Sequence, residues 1–146
     1  MKPMLPLRFA SILSLVAAIG HTILFLTYKP THGPAEIVVV STMQSYAFSF
    51  GGFPHTYWQL YFGYELFVTI SCLVECALLW LLANLARTEP AQARPFVRVF
   101  FLGEVATSIL MLKFFFLIPI VVHTATVLCL AGALLTLART SRSKES

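Results

Sequence analysis

The chain has 146 residues, of which 58% are apolar and 11% charged, against roughly 25% charged in ordinary soluble domains. That length leaves room for one domain, residues 1–146, and so apolar a chain must be solvated by lipid rather than water. The net charge of +4 does not mark a nucleic-acid binder, because the basic residues sit between apolar runs, which is how membrane topology is written.

The first apolar run covers residues 8–28. A charged start followed by an apolar stretch is also how a signal peptide begins. Here the run continues through Ile23, Leu24, Phe25 and Leu26 without a cleavage-like pause, so a retained helix is expected. Three more runs follow at 57–86, 96–117 and 119–138. Each meets the need for about 20 residues to cross about 30 Å of hydrocarbon. Lipid cannot hydrogen-bond an exposed backbone, so all four are expected to be helices. The expected fold is therefore all-α: an integral membrane four-helix bundle with a short interfacial segment between the first two spans.

That segment, residues 29–56, opens with Pro34 and Glu36 placed as in a first helical turn. Val38-Val39-Val40 suits a short strand equally well. Gly51-Gly52 breaks the chain, and Pro54 is expected to re-enter a helix. Tyr57, Trp58, Tyr61 and Tyr64 crowd its outer end, as in an interfacial aromatic belt. The last connection, around Pro119, is short enough to make the third and fourth spans an antiparallel hairpin.

Eight of the ten basic residues fall on one side when the spans alternate: Lys2, Arg8, Arg87, Arg94, Arg98, Arg139, Arg142 and Lys144. Lys29 and Lys113 fall on the other. The positive-inside rule then places both termini in the cytoplasm, in a cell inner membrane.

Ionisable groups inside hydrocarbon ask for a partner or a purpose. His21, Glu65 and His123 fall in the outer half of three spans, near Tyr61 and Tyr64. Glu75 and Glu104 fall in the cytoplasmic half, where one must keep a proton if they face each other, with Ser108 or Ser71 as hydrogen-bond partners. Glu65, Thr69, Cys72, Cys76 and Trp80 make one stripe at helical spacing, and Ser14, Ala18, His21 and Phe25 make another. The expected ligand-binding set is His21, Tyr61, Tyr64, Glu65 and His123. His21 is expected to stand close to Glu65. The same groups also suit plain interhelical glue, and two histidines are conceivable haem ligands.

Cys72, Cys76 and Cys129 lie in apolar runs without metal-ligand spacing, and are expected to be free thiols. No nucleophile elbow, phosphate loop or HExxH pattern is present, so no catalytic residue, metal or cofactor is assigned.

Gly20-His21-Thr22, then Gly52-Phe53 with Tyr57-Trp58, Tyr61 and Gly63-Tyr64, then Phe114-Phe115-Phe116 before Pro119 together resemble an uncharacterised family of small bacterial four-span membrane proteins. The resemblance covers nearly the whole chain. It implies the fold and a bacterial membrane, and no activity. An acid often follows the Tyr-Trp pair in that family, where this chain has Gln59. A looser likeness, in size and span number alone, is to emopamil-binding and DoxX-like proteins, and architecture does not carry function.

Two functional expectations result. One is a binding protein, or an enzyme, whose outer-half pocket takes a lipid-like or hydrophobic small molecule, with membrane lipids around it. The other is a structural accessory subunit whose partners are membrane proteins. Nucleic acid is expected of neither.

Overall fold

The computed structural model describes residues 4–142; Lys2, Lys144 and the polar tail after Arg142 lie outside them. The order of elements is α1 (Met4–Leu26), α2 (Pro34–Ser45), β1 (Ala47–Phe50), β2 (Phe53–Thr56), α3 (Tyr57–Thr88), α4 (Pro90–Phe114) and α5 (Leu117–Arg142). Helices α1, α3, α4 and α5 are long and apolar enough to cross a membrane. The chain is an all-α multi-pass membrane protein with one small hairpin of strands.

The helix ends follow local chemistry. α1 stops before Lys29-Pro30, because a residue preceding proline is pushed out of the helical region. α3 is 32 residues long, about 48 Å at helical rise, and ends where α4 begins across the single residue Glu89. α4 starts at Pro90 rather than at 96, and it carries Pro95 within its second turn. Pro95 has no N–H to give the Ala91 carbonyl, and the helix continues past it. Phe115 closes α4 by giving its N–H to the Met111 carbonyl at 3.0 Å. Pro119 then falls in the first turn of α5, where a missing N–H costs nothing.

The chain forms two compact units. The described residues up to Ala17, together with those from Cys72 onward, make the first; Ala18–Ser71 make the second.

The first unit is a four-helix bundle. Its buried core takes Leu7 and Ala10 from α1, Leu79, Leu82, Ala83 and Ala86 from α3, Ala93 and Val97 from α4, and Leu130, Ala133 and Leu137 from α5. These positions recur at three- and four-residue steps, so each helix turns one stripe inward. Alanine is frequent among them because small residues let helix backbones close up without a water-driven collapse. The outward residues are large and apolar, Val99, Leu102 and Leu117 among them, which suits a lipid-facing surface.

The second unit holds the end of α1, α2, the β1–β2 hairpin and the start of α3. Residues 34–45 are helical, which resolves the ambiguity over Val38–Val40. The hairpin was not expected. Its antiparallel register pairs Ala47 with Thr56 and Phe50 with Phe53. Gly51 and Gly52 both have positive φ, 61° and 87°, as the type I′ turn that matches strand twist requires. Pro54 is tolerated because a two-stranded ribbon has only edges.

α3 is launched from this hairpin by a reciprocal cap. The Thr56 N–H donates to Gln59 Oε1 at 2.9 Å, and the Gln59 N–H donates to Thr56 Oγ1 at 3.2 Å. That is a capping box, with Gln59 reaching back as glutamate often does.

Candidate functional site

Within the second unit, α1 and α3 bring together a polar cluster set among aromatic rings. His21 and Thr22 come from α1; Tyr61, Glu65 and Thr69 are spaced by four along α3 and so share a face. His21 Nε2 stands 2.7 Å from Glu65 Oε2. The other ring nitrogen, Nδ1, stands 3.3 Å from Thr69 Oγ1. Thr69 Oγ1 is in turn 3.0 Å from Thr22 Oγ1 and 3.2 Å from the Glu65 carbonyl. Thr22 donates to the Ala18 carbonyl at 2.7 Å.

Thr69 has one hydroxyl proton and three neighbours for it: the Glu65 carbonyl, Thr22 Oγ1 and His21 Nδ1. The hydroxyl thus links the α3 backbone, a second threonine and the imidazole, and serves one of them as donor at a time.

The surroundings are apolar and aromatic. Phe25 sits edge-on to Tyr61 at 6.1 Å and tilted on Phe62 at 4.7 Å, and Trp58 lies 5.7 Å from Tyr61. The Tyr61 hydroxyl is a side-chain hydrogen-bonding neighbour of Glu65. Tyr64 behaves differently. One residue back from Glu65, it is turned away from the shared face and is 60% exposed.

His123 belongs to the first unit. Its Nδ1 lies 2.9 Å from Glu104 Oε2, joining α5 to α4. The expected set grouped it with His21 and Glu65; the side-chain partner it has is Glu104. Counting depth places a residue along a helix but not around it, and the α4–α5 hairpin turns His123 onto Glu104. Glu104 is itself 7% exposed. Glu75 does face Glu104, as expected, but its other side-chain hydrogen-bonding neighbour is Ser14. Ser71 instead bonds the Phe67 carbonyl, and Ser108 Oγ is buried with no partner among the described residues.

A third polar group lies outside the spans. The Tyr28 hydroxyl donates to Glu36 Oε1 at 2.7 Å, and the His32 N–H donates to Glu36 Oε2 at 2.6 Å. These bonds, the His32 N–H first, hold the Glu36 carboxyl down at about 2. The hydrogen bond to Glu36 raises the Tyr28 phenol above its ordinary value. The group ties the end of α1 to the first turn of α2, where Gly33 offers no side-chain cap.

The three cysteines are free. Among the described residues, no three His, Cys, Asp or Glu side chains converge in a way that could hold a metal ion. Haem ligation by His21 would have to break the bond to Glu65 or the bond to Thr69.

No family model, curated protein or solved structure matches this chain.

Proposed function

We propose that the chain is a multi-pass protein of a bacterial inner membrane that binds a lipid-like or other hydrophobic small molecule. The molecule's polar group would meet His21 and Glu65, and its apolar body would lie among Phe25, Tyr61 and Phe62. Both termini face the cytoplasm in this reading, on the count of basic residues. Membership of the small bacterial four-span family belongs to the same proposal.

The observation that carries it is the exposure of the pair. A contact serving only as glue is best sealed, yet the His21 side chain remains 30% exposed and that of Glu65 15%. Two hydrogen-bonding groups of opposite character thus stay within reach beside aromatic walls, the usual make-up of a small-molecule site. His123, bonded to Glu104, is left out of this ligand set, and Tyr64 contributes at most to its rim.

The second reading, an accessory subunit, draws on the hairpin. Tyr46, Phe48 and Tyr57 stack together there, with Tyr46 to Tyr57 at 6.1 Å, and Phe53 is 69% exposed. Such a surface suits a membrane-protein partner.

Mass spectrometry of molecules co-purifying with the solubilised protein separates the two. Small molecules retained by the parent and depleted about tenfold in His21→Ala and Glu65→Gln support the binding site, the loss being that of a partner left unpaired. Retention equal to the parent in both folded variants rejects it. A stoichiometric protein partner lost on altering Tyr46 or Phe53 supports the accessory role.

A further inference from the structure

Arg8 is the last residue before an apolar run from Phe9 to Leu26, about 27 Å of helix against about 30 Å of hydrocarbon. That places it at the edge of the bilayer. Within the first unit its guanidinium lies 4.6 Å from the centre of the Trp80 ring. Its Nη2 reaches Asn84 Oδ1 at 3.5 Å, the outer limit of a hydrogen bond. Among the described residues its Nε is buried with no partner, and no carboxylate stands within ion-pair distance of it. A guanidinium has five donors, and the described residues accept a single weak bond from this one.

An arginine held over an aromatic ring, undersupplied with acceptors, at the level of lipid headgroups, is built to take an oxyanion with two oxygens. We propose that Arg8, backed by Trp80 and flanked by Asn84, binds the phosphate of an anionic phospholipid. Phe9 and Ile12 on α1 and Leu81 on α3 are exposed apolar residues on the same helices. They offer acyl chains a surface that free phosphate does not need. The inference is independent of the His21–Glu65 reading, which concerns the other unit.

The test uses the full chain in detergent, with phosphatidylglycerol, diacylglycerol or inorganic phosphate added and bound molecules counted by native mass spectrometry. Phosphatidylglycerol should bind the parent and the control Arg139→Gln alike. It should bind Arg8→Gln about five-fold more weakly, the worth of one interfacial cation, and Arg8→Lys at an intermediate level, because lysine keeps the charge and loses the fork. Equal binding by Arg8→Gln, or equal binding of diacylglycerol, overturns the proposal. Inorganic phosphate that binds through Arg8 and displaces the lipid also overturns it, by showing a free-anion site. Should Arg8→Gln not fold, nitrogen–phosphorus dipolar contact at Arg8 in the parent, reconstituted in phosphatidylglycerol, decides. Contact supports the site, and its absence rejects it.

Discussion

The Thr69 hydroxyl stands 3.3 Å from His21 Nδ1, on the side of the ring away from Glu65. It therefore holds the ring from one side as the carboxylate does from the other. Thr69→Val keeps the shape and removes the hydroxyl, leaving Nδ1 without its partner. The expected cost is about 1–3 kcal/mol, the penalty for an unmade hydrogen bond in a partly buried site, read as a lowered unfolding midpoint in detergent. Thr69→Ser should recover most of it. An unchanged midpoint in Thr69→Val would show that the hydroxyl contributes nothing there.

The His123–Glu104 bond makes a different prediction, because Glu104 is almost wholly buried. Removing the imidazole by His123→Ala leaves Glu104 facing a second carboxyl, Glu75, and a buried carboxylate that has lost its partner costs about 3–5 kcal/mol. Glu104→Gln keeps a hydrogen-bonding group without the charge, so it should destabilise less. Thermal unfolding of the two variants side by side checks the order. The reverse order would mean that His123, not Glu104, is the group that needs its partner.

Outside the spans, stability should depend on pH through Glu36 and Tyr28. Glu36 is depressed from an ordinary value of about 4.3 to about 2. Its contribution is thus complete above the ordinary value and disappears as the pH falls through about 2. Tyr28 is raised, so its contribution is complete below an ordinary phenol value of about 10 and is lost as the pH climbs through the raised one. Nuclear magnetic resonance titration of the Glu36 carboxyl, with amide exchange along α2, should show both events. In Glu36→Gln, Tyr28 should return to an ordinary phenol. A Glu36 titration near the ordinary carboxylate value would refute the cap.

Orientation can be checked with thiol labelling after Cys72, Cys76 and Cys129 are replaced. A cysteine at Ser41 in α2 should react with an impermeant reagent applied to intact cells. One at Arg94 should react only after the membrane is opened. The opposite pattern would overturn the count of basic residues on which the topology rests.

Much of this architecture was legible in the chain. The spans could be read because 20-residue apolar runs have few alternatives. The meeting of His21 with Glu65 could be read because two stripes, one in each span, set both residues on a bundle-facing side. Azimuth was less accessible. His123 was placed by its depth, and nothing in α5 alone says that its ring turns toward α4. Tyr64 belongs with Tyr61 to the aromatic block, yet its single step from Glu65 sets it about 100° around α3 from that carboxylate. The hairpin is hidden for another reason. Ala47–Phe50 and Phe53–Thr56 are too short to show alternation, and Gly51-Gly52 marks a break whether or not both residues take positive φ. The Thr-x-x-Gln spacing of Thr56 and Gln59 becomes a cap only once a helix begins at Tyr57.

That cap has a mechanical consequence. Thr56 and Gln59 bond each other, and no residue separates the end of the hairpin from the start of α3. A load applied at the hairpin tip, whether by a partner or by the bilayer surface, therefore reaches α3 with no linker between to absorb it. The first residues to feel it are Trp58 and Tyr61, whose rings stand against each other and, through Tyr61, against Phe25. A pull at Gly51-Gly52 is therefore felt one helical turn above Glu65.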